Sequence, residues 1–126
     1  MNQDTADRPQ RSALLLAALL GTAGTAHLTR PEGFDRIVPR ALPGNPRLWT
    51  YASGVAELAV AAAVAHPRTR RHGALAAACL FTAVLPANVQ MALDWNERPT
   101  PQRVAAYARL PLQIPLVVWA LRVRGT

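Results

Sequence analysis

This sequence predicts an all-α fold in which four helices pack as an up-down bundle within a membrane, and three observations predict it. Its hydrophobic residues, 51% of 126, gather into four blocks, each about long enough to cross a bilayer. Block by block, the polar stripe that a water-exposed helix keeps on its outer face is missing. The basic residues lie between the blocks and do not collect on one face of them, as suits loops at a lipid surface. A chain of this length reads as one domain, residues 1–126.

The first helix is expected over about residues 12–30, where "SALLLAALLGTAGTAHLT" carries no formal charge and Arg30–Pro31 supplies the stop. Arg8 and Arg11 ahead of this block, with "GTA" ending at Ala26, also fit a cleaved secretory signal. The other three blocks share its character, and this favours retention. The second helix, about 48–66, holds a single charge, Glu57, and ends at His66, Pro67 and the basic "RTRR". The third, about 72–95, is free of charge from Gly73 to Leu93 and gives the strongest single signal. The fourth, about 103–122, contains Arg109 and two prolines, Pro111 and Pro115, a spacing better tolerated among packed helices in lipid than in water. Between the first two helices, Phe34, Ile37, Val38 and Leu42 recur at helical spacing, broken by Pro39 and Pro43. A short amphipathic segment on the membrane surface and an irregular loop both fit.

The 14 basic residues are all Arg and leave a net charge of +7. Their dispersal argues against a nucleic-acid surface. One cysteine, Cys79, permits neither an intrachain disulfide nor dithiol chemistry, and His27, His66 and His72 lack the spacing of a metal site, so no metal is expected.

An ionised acid in lipid costs several kcal/mol unless it is paired, so Glu57 needs a reason. In an up-down bundle the end of helix one, the start of two, the end of three and the start of four meet on one side. His27, Glu57, Asn88, Gln90, Arg109 and Gln113 all fall there, while the other half offers mainly Ser12, Thr22 and Cys79. These six form the candidate ligand-binding cluster, with Glu57–Arg109 as the expected charge pair. Asn88 and Gln90 lie about 200° apart on a straight helix and cannot face one point unless Pro86 bends it; Asn88 could instead satisfy the Thr82 carbonyl that Pro86 leaves without a donor. Ser53, Gly54, Glu57 and Ala61 share one face of the second helix, where small residues admit a close neighbour. Trp49, Tyr51 and Trp95 at helix ends read as interfacial anchors. No side chain is assigned a catalytic role.

The stretches "GTAHLTRPEGFDRIVPRALPGNPRLWTYASGVAELAVA", "PANVQMALDW" and "ARLPLQIPLVVWALR" together resemble the DoxX-like family of small bacterial four-helix membrane proteins. That resemblance implies a plasma-membrane protein with both termini cytoplasmic. The arginine tally leaves orientation near a tie, with Arg8, Arg11, Arg68, Arg70, Arg71, Arg122 and Arg124 on one side and six on the other. It also implies a membrane or redox partner protein, with quinone as the cofactor such side chains could serve. Three functions stay open: an accessory membrane protein binding a quinone or lipid, a subunit of a quinone-linked oxidoreductase or oxidative-stress complex, and a small oligomeric transporter. The small faces of the first two helices would admit a homodimer.

Overall fold

The computed structural model describes residues 3–36, 38, 41–94 and 99–125; the side chains of residues 3–6, 90, 91, 94, 102, 105 and 106 lie outside that description. The described residues form five helices and no strand: α1 (Gln3–Thr29), α2 (Pro31–Asp35), α3 (Pro46–Ala65), α4 (Arg70–Asp94) and α5 (Thr100–Arg124). Trp95 of the expected anchor set falls outside them.

Helix α1 starts well ahead of the apolar block at Ser12, because "DTADRPQ" continues the helix as a polar extension. Helix α3 begins where Asn45 caps it, the Asn45 side chain accepting from the Arg47 backbone N–H at 3.0 Å with Pro46 in the first turn. Its other end is closed by Arg70, which donates to the carbonyls of Val64 (2.9 Å) and Ala65 (3.0 Å) and also to Gln10 of α1 (2.8 Å). One guanidinium thus satisfies carbonyls that the helix end leaves open and ties three helices together.

Helix α1 packs chiefly against α3, and α4 against α5, with α3 and α4 joining the two pairs. The α1–α3 seam depends on Gly24 and Gly54. A Cβ on Gly24 would stand 2.8 Å from the Gly54 carbonyl oxygen, and one on Gly54 would stand 2.9 Å from the His27 Cβ. No larger residue fits without moving the backbones apart. The apolar core lies toward the other end, where Ala13, Leu16 and Leu20 of α1 meet Ala61 and Val64 of α3, Ala74, Ala77 and Ala78 of α4, and Ala120 and Val123 of α5. Trp119 donates to the Ser12 hydroxyl at 2.8 Å across the α5–α1 contact.

The outward faces stay apolar. Leu15, Val55, Leu93 and Ile114 are more than half exposed, and such a surface in water would be an aggregation hazard. The exposed Thr22, Thr25 and Thr29 return their hydroxyl protons to carbonyls four residues back, at 2.7–2.8 Å, and so need no water. Three helices, over Asp7–Thr29, Pro46–Ala65 and Arg70–Val89, are long and apolar enough to cross a membrane.

The connection after α1 begins with a short helix packed on the bundle. Pro31 opens the one-turn α2, which packs on α3 and α1. Phe34 therefore turns inward. Pro43 precedes the turn that leads to the Asn45 cap of α3, and Ile37, Pro39 and Arg40 lie outside the described residues.

Candidate functional site: a cavity around Glu57

Each of the four long helices contributes polar residues to one space between them. Helix α1 brings His27 in its last turn, α3 brings Glu57 on the face that carries Gly54, α4 brings Asn88 just after Pro86, and α5 brings Arg109 and Gln113 one turn apart. All five line a cavity of about 260 Å³, whose remaining wall is apolar and includes Leu20, Phe81, Val84 and Leu116. Gln90, the sixth residue expected there, is not among the lining residues, and its side chain is outside the described set.

Glu57 is 7% exposed, and its Oε2 is buried without a hydrogen-bond partner. The His27 ring lies beside it, with Nδ1 at 3.4 Å from Oε2. That nitrogen already donates to the Ala23 carbonyl at 2.7 Å, so its proton is directed along its own helix. A single N–H cannot serve both acceptors well at these distances. The pairing of Glu57 with Arg109 expected from charge alone is not found: both line the cavity, but the short contact of Glu57 is to His27. Arg109 is itself engaged. An acid, a histidine and an arginine thus surround the space while one carboxylate oxygen has no donor.

Gln113, 9% exposed, donates its side-chain amide to the Phe81 carbonyl. Phe81 sits beside Thr82, whose carbonyl lacks a helical donor because Pro86 has no N–H. Gln113 thus ties α5 to α4 one residue before that carbonyl. Asn88, 3% exposed, faces the cavity.

Three residues that sequence reasoning left out complete the site. Phe34 of α2 stacks on the His27 ring, with centroids 3.7 Å apart and planes 20° from parallel, and forms part of the cavity wall. Asp35 holds α2 in place by accepting from the Thr50 hydroxyl at 2.6 Å and from Arg47 Nε at 2.8 Å. Burial pushes the Asp35 carboxyl up, but the hydrogen bonds from Thr50 and Arg47 and the Arg47 charge outweigh it and hold the group below the usual carboxylate range. Thr50 is 2% exposed. The only signal for Phe34 in the sequence was its seven-residue spacing from His27, which places the two on one face if the chain stays roughly helical across Arg30.

Nothing in this arrangement resembles a metal centre: among the described residues no group of three or more His, Cys, Asp or Glu could hold an ion. The only cysteine, Cys79, is exposed and away from the cavity.

Fold and site together define a small all-helical protein of membrane character with an acid-lined interior cavity. The family model for a "Domain of unknown function (DUF8561)" matches residues 16–124, and the chain belongs to that family. No curated protein and no solved structure matches it.

Proposed function

We propose that this chain is an integral membrane protein of the bacterial plasma membrane that binds a small amphipathic molecule, of the quinone or lipid class, in the Glu57 cavity. In this reading α5 is the fourth span of an up-down bundle. Both termini and "RTRR" face the cytoplasm, and the cavity opens into the outer half. The motif resemblance to DoxX-like proteins points to the same location.

One observation carries the proposal: a buried carboxylate oxygen without a donor, in a cavity to which all four long helices contribute. An unsatisfied buried acceptor costs about 1–3 kcal/mol, and in lipid no water compensates. Structural bracing does not account for it, since the bracing polar groups here are satisfied: Gln113 by Phe81, Thr50 by Asp35, Trp119 by Ser12. A molecule that brings its own donor removes the deficit. The cavity is near the lower size limit of small-molecule pockets and suits a head group better than a whole lipid.

Purification in mild detergent, followed by mass spectrometry of the copurifying small molecules, tests this. A bound amphiphile should accompany the wild type and fall about tenfold or more with Glu57→Gln, the loss expected for one charge-assisted hydrogen bond. Equal recovery from both proteins would refute it. For topology, with Cys79→Ser as background, a cysteine at Leu42 should react with an impermeant reagent on intact cells and one at Arg70 should not.

A further inference from the structure

The Glu57 cavity is not the only hollow touching the His27–Phe34 stack. A second one, of about 510 Å³, shares His27, Phe34 and Val84 with the first and extends beneath α2 between α3 and α4. The two differ in chemistry. The first contains the unpartnered Glu57 oxygen, Asn88 and Arg109. The second is walled mainly by apolar residues such as Val38, Leu42, Leu80 and Ala87; of its two hydroxyls, that of Thr50 already donates to Asp35 and that of Ser53 lies on the α3 side.

We propose that the two hollows are one site for a single-chain lipid alcohol, its hydroxyl at Glu57 and its chain running past the His27–Phe34 pair into the second hollow. This rests on the reading that the Glu57 cavity takes an amphiphile, and it specifies which kind. The head is a hydroxyl because that group both donates and accepts, and so it matches a carboxyl in either protonation state and an Asn amide at the same time. The head carries no charge, because a cation would meet the Arg109 guanidinium and an anion the Glu57 carboxyl in a space with little solvent to screen either. A single chain is the simplest occupant, since the first hollow, at about 260 Å³, is the smaller of the two. Phe34 forms the other wall of the passage. It rides on a five-residue helix held by the Asp35 contacts, whereas the His27 ring is fixed to its own helix through Ala23.

The test uses the full-length protein in phosphatidylcholine nanodiscs, with hexadecan-1-ol probes that carry a diazirine either next to the hydroxyl or at the chain end. A matching alkylphenol and hexadecanoic acid complete the set, and labelled peptides are mapped by mass spectrometry. Head-end labels are expected at residues 84–88 and 109–116, and tail-end labels at Val38, Ala41, Leu42 and residues 80–87. Both should fall about tenfold or more in Glu57→Gln, and the acid should label about tenfold less than the alcohol. Whichever of alcohol and phenol labels more strongly identifies an aliphatic or a ring-bearing head, and either result supports the site. Ala87→Phe, which fills the second hollow, should remove the tail-end labels; Ala83→Phe serves if that variant does not fold. Glu57-dependent head labels combined with tail labels scattered over outward residues such as Leu15, Val55 and Ile114 would overturn the shared site and leave the Glu57 cavity standing. Absence of any Glu57-dependent label would remove both.

Discussion

The two ends of this protein are built on different terms. At the end holding the α1 start and the α3–α4 connection, small and aliphatic side chains fill the space between helices, and Leu16, Val64, Ala74, Ala77 and Ala120 are fully buried. The polar groups there are paired, Trp119 with Ser12 and Arg70 with two helix-end carbonyls. At the other end the helices stand around a cavity, and an acid oxygen goes without a donor. The first end holds the helices together, and the second leaves open space and unused bonding capacity. A protein selected for stability alone would pack both alike.

Mutations should separate the two ends. The largest effect is expected at the packed end: Leu16→Ala removes a fully buried side chain, leaves a void that the surrounding helices fill only in part, and should cost about 2–4 kcal/mol in a detergent unfolding titration. Next comes the seam that serves both ends. Gly24→Ala puts a methyl group 2.8 Å from the Gly54 carbonyl oxygen and should cost about 1–3 kcal/mol by overpacking, with α1 and α3 forced apart.

The Asp35 contacts should matter less, about 1–2 kcal/mol for Asp35→Asn, since the Arg47 partner is 40% exposed. Their pH dependence has a definite sign. The folded carboxyl titrates below its ordinary range, so its contribution is fully present above the unfolded value, near 4. It disappears as pH falls through the lower folded value. The stability difference between wild type and Asp35→Asn should therefore be constant from pH 8 to pH 5 and shrink below about pH 4, as equilibrium unfolding at each pH would show. A difference that grew on acidification would contradict the assignment.

Much of the coarse plan was legible in the sequence. Uncharged blocks mark helices because a spanning segment has to hide its backbone polar groups in helical bonds, and this leaves a long, unpatterned apolar run. His27, Glu57, Asn88, Arg109 and Gln113 could be placed at one end because antiparallel order alone decides which helix ends meet. The partners within the site were not legible. Charge pointed to Glu57–Arg109, but the 3.4 Å contact is with His27, since the Gly24–Gly54 approach draws α1 onto α3 more closely than any residue count reveals. Phe34 and Asp35 were hidden for another reason. Hydrophobic spacing in a short, proline-broken stretch cannot say whether its apolar side turns toward lipid or back onto the protein; for α2, Asp35 accepting from Thr50 and Arg47 holds it on α3.

The smallest expected stability change is also the most decisive. Glu57→Gln keeps the size of the side chain and replaces one carboxyl oxygen by an amide nitrogen, and Oε2 has no hydrogen bond to lose; the ligand-free protein should unfold no more easily than the wild type. Thermal unfolding of both proteins, with and without hexadecan-1-ol in the same nanodiscs, gives the most direct reading. The account predicts that without the alcohol Glu57→Gln unfolds at or slightly above the wild type, and that with it the wild type shifts upward while Glu57→Gln does not. A Glu57→Gln protein that melts several degrees lower on its own, and rises with the alcohol as much as the wild type does, would make Glu57 a brace of the fold and contradict its role as a binding group.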